Sequence, residues 1–310
     1  MHADERIIAI GPDVETPRLS VLTPFHRHDP SALLTRMANA PAGIEFILID
    51  DGSSSASLLA NVIAAAERVA APVRIIIWSK NGGRAAARNR LVAEARGDYV
   101  LFLDADMIPD SPRFLSIWLG VLSTQRPRVA FGGLSVAHAK ADEDTALHHN
   151  LFARSDCLPA RVRAQRPAQS TASSNLAVRR DFLAAHPFDQ RFTGWGFEDT
   201  DWALSVVKRA PILHVDNPAT HAGLDDVPTL MRKSAEAGRN FARLAAKHPR
   251  AVRRVPAYRA ALALKFAPAR AVLRRFTVWL ASDRAGLAPM PVRRAAFKLY
   301  RVSHFAEHLA

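Results

Sequence analysis

Four short apolar runs, each ending in polar or flexible residues, constrain the fold of this chain more than any other feature. They are "LSVLT" (Leu19–Thr23), "IEFILI" (Ile44–Ile49), "VRIIIW" (Val73–Trp78) and "YVLFL" (Tyr99–Leu103). Each is continuous and rich in β-branched or aromatic residues, the pattern of strands covered on both faces in a parallel sheet. Segments with helical spacing separate them, over 31–40, 57–70 and 84–95. A further helix is expected after the fourth run, with Ser111 as N-cap and Pro112 at its first position. Strand and helix in alternation predict an α/β fold with a doubly wound, mostly parallel sheet flanked by helices.

In such sheets ligands bind beyond the carboxyl ends of the strands. The four runs are followed by "PFHR", "DDGSSS", "SKNGGR" and "DAD". Asp104 and Asp106, delivered to the rim by an apolar strand, repel each other unless a cation lies between or beside them. Two such carboxylates suit Mg²⁺ or Mn²⁺ completed by phosphate oxygens; an Asp-x-Asp is also a common solvated turn. Asp50 and Asp51 can accept from a base or ribose, or serve as plain turn residues. Arg84 and Arg88 share one helix face at i, i+4 and can bind phosphate or simply face solvent. The glycine and lysine spacing is not that of a P-loop.

Charge divides the chain unevenly. The 83 residues from Pro228 onward carry 18 Lys/Arg against 3 Asp/Glu, whereas the preceding part carries 24 against 26. A near-neutral body with a basic tail suggests an anionic partner: lipid, nucleic acid or an acidic polymer. "PTLMRKSAEAGRNFARLAAKH" and "YRAALALKFAPARAVLRRFTVWLA" read as helices, the second kinked at Pro268. In a final helix, Val292, Ala295, Ala296, Leu299, Val302, Phe305, Ala306 and Leu309 keep helical spacing, amid Arg293, Arg294, Lys298 and Arg301. That tail either packs on the catalytic body or a second subunit, or lies on an anionic membrane surface through 250–310.

The 49% hydrophobic content leaves ample core for one large domain or two modest ones. The single cysteine, Cys157, fits a reducing compartment and no thiol chemistry. "MHADERIIAIG" carries no signal-peptide pattern, and no uncharged apolar run reaches membrane-spanning length. The expectation is a cytoplasmic chain, or one peripheral on the cytoplasmic membrane face.

Five stretches, "LSVLTPFHR", "ILIDDGSSS", "NGGRAAARNRLVAEARGDYVLFLDADMIPD", "SSNLAVRRDFL" and "FDQRFTGWGFEDTDWALSVVKR", together resemble family 2 glycosyltransferases of the GT-A fold. The resemblance runs from Leu19 to His221. It implies inverting transfer of a hexosyl or N-acetylhexosaminyl group from a nucleotide-sugar, UDP-linked, with a divalent metal, to a glycan or lipid-linked acceptor in polysaccharide or glycoconjugate synthesis. It also implies residue roles. Pro24 and Asp51 would meet the nucleotide, Asn81 and Arg88 the base, and Asp104 the ribose and metal-diphosphate. Asp106 would be the direct metal ligand, His221 a third, and Ser174 with Asn175 would line the sugar pocket. Trp195 and Gly196 precede Glu198 and Asp199, where Asp199 would be the acceptor base and Glu198 its positioning neighbour.

Domain expectations follow: a lead-in over 1–18, a catalytic domain over 19–227, and a basic helical extension over 228–310. By local sequence alone, Glu198, Asp199 and Asp201 also read as first-turn acids favoured by a helix dipole. His148 and His149 lack a matching partner and are expected at the surface. Two other functions remain open: a nucleic-acid-binding tail, for which no recognition motif is evident, and a sugar nucleotidyltransferase, for which "TPFHRHD" lacks the Gly-rich basic loop. No nucleic-acid partner is expected. Monomer and homo-oligomer both remain open.

Overall fold

The computed structural model describes residues 5–13, 16–267, 269–283 and 286–309. All four apolar runs are strands, lengthened by up to two residues at their rim ends. They are β2 (Leu19–Phe25), β3 (Ile44–Asp51), β4 (Val73–Trp78) and β5 (Tyr99–Leu103). The stretch read as a lead-in carries β1 (Glu5–Ile10), which pairs antiparallel with β4 along the sheet edge. Its half-exposed "ERIIAI" lacks the continuous apolar signature of the others, as suits an edge.

The chain continues through β6 (Met107–Pro109), β7 (Val129–Phe131), β8 (Leu134–Ser135), β9 (Asn175–Arg179), β10 (Ile212–His214) and β11 (Ala219–His221). The main sheet orders its described strands β1-β4-β3-β2-β5-β9-β7-β10. Only β1 and β9 run against the rest, so the sheet is mostly parallel as expected. Every residue of β3 is buried. Each large apolar side chain removed from water there contributes about 1.5–3 kcal/mol.

The helices of the first half are α1 (Ser31–Arg36), α2 (Ala56–Ala66), α3 (Arg84–Glu94) and α4 (Phe114–Gln125). Two differ from the spacing. The helix expected over 31–40 stops at Arg36, and that over 57–70 stops at Ala66 after Ser55 caps it by accepting from Leu58 N. α4 begins two residues beyond the Ser-Pro signal, because Ser111 spends its Oγ on Arg113 N in a preceding turn.

After these come α5 (Ala146–Ser155), α6 (Ala160–Arg163), α7 (Arg180–Ala185) and α8 (Glu198–Val206). The basic segment folds into α9 (Val227–Lys247), α10 (Pro249–Val252), α11 (Pro256–Leu264), α12 (Arg270–Ser282) and α13 (Met290–His308). The helix expected over 258–281 is therefore two, α11 and α12; the Pro268 kink lies outside the described residues.

α13 packs against α9, α11 and α12. Phe241 of α9 and Phe305 of α13 stack at 4.0 Å, and Phe197, just before α8, meets both rings. Val302, Phe305, Ala306 and Leu309 join the same apolar core as the sheet. Of the expected stripe on α13, Val292, Ala295 and Leu299 are exposed instead, and Phe297 is buried in their place.

Candidate active site

The rim of the sheet opens into a cavity of about 750 Å³, within the usual range for small-molecule sites. Pro24, Asp51, Arg84, Arg88, Asp104, Asp106, Ser174, Trp195, Glu198, Asp199 and His221 all line it. Residues separated by nearly two hundred positions in sequence thus share one space.

Strand register explains much of this convergence. β6 pairs antiparallel with β11 so that His221 lies opposite Met107, which brings its ring to the adjacent Asp106. Nε2 of His221 is 3.2 Å from Asp106 Oδ2. A side chain at Gly223 would take the space of the Asp106 carboxylate, so glycine is required there. Pro24 follows the last β2–β5 pairing, Leu22 with Phe102, where no further ladder donor toward β5 is needed.

Asp51 ends β3 and accepts from Gly82 N and Gly83 N at 2.5 and 3.0 Å. Gly52, at φ 73°, lets this turn touch the 80–83 loop: a Cβ there would lie 2.5 Å from Asn81 N. Burial raises the Asp51 pKa despite those two donors.

A cationic clamp joins the two acidic ends. Arg88, wholly buried, donates to Asp104 Oδ1 at 2.7 Å and approaches Glu198 Oε1 at 3.4 Å. Arg84, a turn earlier on α3, donates to Glu198 Oε1 at 2.5 Å and to Asp104 Oδ2 at 3.5 Å. Burial opposes the ionised form of Glu198, but these two arginines hold its pKa below the ordinary value. Asp199 makes no ion pair among the described residues, and the two arginines act on it only at a distance. Burial and the neighbouring Glu198 charge push it up to about 6, with Thr200 N donating to Oδ1 at 2.7 Å. Neighbouring carboxylates pushed apart in this way can leave one as a fixed charge and the other free to titrate.

The turn carrying these acids is strained and supported. Phe197, the residue before α8, sits at φ 72°, a left-handed geometry costing a non-glycine residue about 1–3 kcal/mol. Asn240, buried on α9, donates to the carbonyls of Thr193 (2.9 Å), Trp195 (3.3 Å) and Gly196 (2.9 Å) and so ties down the approach to it.

Divalent-metal coordination fits two of the three expected ligands. Asp106 Oδ1 and His221 Nδ1 are buried with no hydrogen-bond partner among the described residues. Burial works against ionising Asp106, yet His221, His28 and Arg84 bring its pKa down to about 2. Asp104 is turned into the arginine clamp. Among the described residues no three acid, His or Cys side chains already form a metal cage.

Several sequence expectations are placed differently. Asn175 does not line the cavity: opposite Leu103 in the ladder, it is fully buried and bonds Trp118, Gly133 and Asn217. Asn81 is exposed, outside the cavity, with Nδ2 donating to the Asp51 carbonyl. Arg88 ends on carboxylates rather than on open space for a base. His148 is not a surface residue. The packing of α5 beside α9 seats it on His221 with ring centroids 5.7 Å apart, and its Nδ1 accepts from Asp225 N. The thiol of Cys157 is pushed up to about 12, chiefly by burial.

Sequence reasoning missed His28, Phe152, Asp156, Lys233, Lys298 and Arg301, which also line the cavity. The last three come from the basic helices. Their charge is visible in sequence, but their direction is set by packing.

A family model described as glycosyl transferase family 2 matches residues 20–185, more than half of the chain. An uncharacterised glycosyltransferase of Haemophilus influenzae is 35% identical over 95 residues, 29% of this chain and 36% of that protein. The match thus spans just over a third of that relative's length. A mannosyltransferase from Pyrobaculum calidifontis, solved with GDP-Man and Mn²⁺, aligns at TM-score 0.56 and 16% identity, covering 96% of this chain and 89% of its own. A glucosyl-3-phosphoglycerate synthase from Mycobacterium tuberculosis, solved with Mn²⁺, UDP and glucosyl-3-phosphoglycerate, aligns at 0.51 and 20%, covering 74% and 80%. At such identities the structural likeness speaks for the fold. The nucleic-acid and nucleotidyltransferase readings gain nothing from these likenesses. The chain belongs to glycosyl transferase family 2 and has the GT-A fold.

Proposed function

We propose that this chain is a metal-dependent, inverting glycosyltransferase, moving a sugar from a UDP-linked donor to a hydroxyl of a glycan or lipid-linked acceptor. The observation that carries the reading is a single cavity with a partnerless Asp106 oxygen at one end and a raised-pKa carboxylate, Asp199, at the other. Solved relatives holding UDP or GDP-Man with Mn²⁺ support the donor class.

An inverting transfer is one displacement at the anomeric carbon, with the acceptor oxygen entering opposite the departing diphosphate. Asp199 takes the acceptor proton as the C–O bond forms. Glu198, neutralised by Arg84 and Arg88, keeps α8 in place and leaves Asp199 as the group able to change protonation. Asp106 and His221 would hold Mn²⁺ or Mg²⁺, which supplies positive charge to the leaving diphosphate. Arg84, half-exposed to the cavity, adds a cation there. Pro24 and Asp51 flank the nucleotide, and Ser174 and Trp195 the sugar.

The catalytic body of this reading covers 19–227, with 228–310 as a helical extension that closes the cavity. The extension also gives the chain a membrane-facing side. Phe266, Val272, Phe276 and Trp279 are 85%, 68%, 55% and 68% exposed, beside Lys265, Arg270 and Arg275. Clustered aromatics with basic neighbours suit an anionic lipid surface. No helix among the described residues is long and apolar enough to cross a membrane.

A panel of nucleotide-sugars with Mn²⁺, read by thermal stabilisation and donor hydrolysis, tests the reading. One UDP-sugar should stabilise the chain, and Asp106→Ala should remove most of the effect. Stabilisation and metal dependence intact in that variant would refute the metal assignment.

A further inference from the structure

Arg301 is an anomaly in this cavity. Two buried arginines that line it, Arg88 and Arg163, each reach a carboxylate within 3.5 Å, whereas Arg301 is half-buried. Arg301 makes no hydrogen bond or ion pair with any described residue, and its Nε is buried without a partner. It rests instead on two rings, with Cζ 5.6 Å from the centroid of Phe197 and 5.3 Å from that of Phe305. The acid that acts on it is Asp156, which is not in contact. Asp156 is exposed, accepts from Ser155 Oγ and forms no ion pair with Arg301. Lys298, three residues earlier on α13, lines the cavity too and has no ion-pair partner among the described residues.

A guanidinium with its Nε buried and no ion pair among the described residues is favoured once something else supplies negative charge. Here burial lowers the Arg301 pKa, consistent with that missing partner. The planar fork of arginine matches phosphate oxygens, and a lysine one turn away adds a point charge. Arg301 lies beside the acid-bearing turn. Arg301 stacks on Phe197, the residue directly before Glu198 and Asp199. The metal end, by contrast, is built from Asp106 and His221, with Lys233 already paired to Asp225 at 2.7 Å.

We infer that Arg301 and Lys298 form a phosphate-binding subsite on the acceptor side of the cavity, and that the acceptor carries a phosphate group near the hydroxyl it presents to Asp199. This rests on the proposed transfer reaction for its placement, though the subsite itself can be tested without it. The last helix then does more than cover the catalytic body: it selects the acceptor.

Calorimetric titration of the full chain tests this, with sn-glycerol 1-phosphate as probe and glycerol as its neutral match. The chain is first saturated with UDP and Mn²⁺ so that the donor end is filled. Glycerol phosphate should bind and glycerol should not, and Arg301→Met should weaken the phosphate probe by about tenfold or more. Arg301→Lys should fall between the two, and UDP affinity should stay within about twofold of the parent. Lys298→Met, at an exposed position, provides a second reading where Arg301→Met fails to fold, with a loss of about threefold or more expected from one point charge. Equal binding of glycerol phosphate by parent and variants, or no preference over glycerol, would overturn the inference. Lost UDP affinity with an unchanged glycerol phosphate response would assign the pair to the donor diphosphate and overturn it equally. If UDP itself does not bind the parent, the transfer reaction fails, and titration of the unloaded chain still decides the subsite.

Discussion

Asn240 Nδ2 lies 2.9 Å from the Gly196 carbonyl oxygen, so a helix of the basic segment holds the turn that aims Asp199. The same amide reaches Thr193 and Trp195, satisfying three carbonyls ahead of a left-handed phenylalanine. Removing it should loosen the acid-bearing turn while leaving the donor end alone. Asn240→Ala is expected to lower kcat about tenfold or more, with a stability loss of about 1–3 kcal/mol from the orphaned carbonyls. UDP affinity should hold. Steady-state kinetics beside UDP calorimetry checks this; unchanged kcat would remove the supporting role.

As the proposed base, Asp199 should set the pH behaviour of transfer. A base must be ionised, so transfer should fall as pH drops through about 6, the value to which burial and Glu198 raise this carboxyl. Asp199→Asn should abolish transfer, a loss of about 10²–10⁴-fold. Stability carries the opposite sign. Because the folded pKa lies above the unfolded value of 3.8, the group favours the fold below that value and its contribution is lost as pH rises to about 6. The variant should therefore melt higher than the parent at pH 7.5, and that advantage should vanish near pH 4. A constant difference across that range would contradict the assignment.

The two arginines of α3 should behave differently. Arg88 is fully buried between Asp104 and Glu198, so Arg88→Met takes a buried counter-charge from both and should cost about 3–5 kcal/mol of stability. Arg84 is 40% exposed toward the cavity. Arg84→Met should lose transfer rate with a much smaller change in melting. Denaturant titration of both variants, with activity, separates the roles; equal destabilisation would make both merely structural.

How much of this was legible in sequence follows from what sets each feature. The strands were readable because their apolar runs are continuous and local. β1 was not, since an edge strand shows a mixed pattern, and α4 misled because Ser111 caps a turn rather than the helix. Asp104, Asp106, Glu198 and Asp199 could be named from their motifs, and the cavity does gather them. Asn175 and His148 could not be placed, because ladder register and the docking of α5 beside α9 decide their surroundings. The partnerless Arg301 was one basic residue among eighteen in its segment until α13 was packed.

The aromatic outer side of α12 gives a membrane prediction. The full chain should float with vesicles containing anionic lipid and not with neutral ones, and high salt should weaken the association. Phe276→Ser with Trp279→Ser should abolish flotation while leaving UDP binding intact. Flotation unaffected by that pair would place any lipid contact elsewhere.

The proposed function turns on one cavity, in which Asp106 would hold the metal-diphosphate end and Asp199 would accept the proton. The most direct measurement is UDP titration with Mn²⁺ into Asp106→Ala and Asp199→Asn side by side, followed by transfer assays on both. The account predicts that Asp106→Ala loses UDP affinity by about tenfold or more, whereas Asp199→Asn binds UDP as the parent does and transfers no sugar. Intact UDP binding in Asp106→Ala, or sugar transfer by Asp199→Asn, would contradict it.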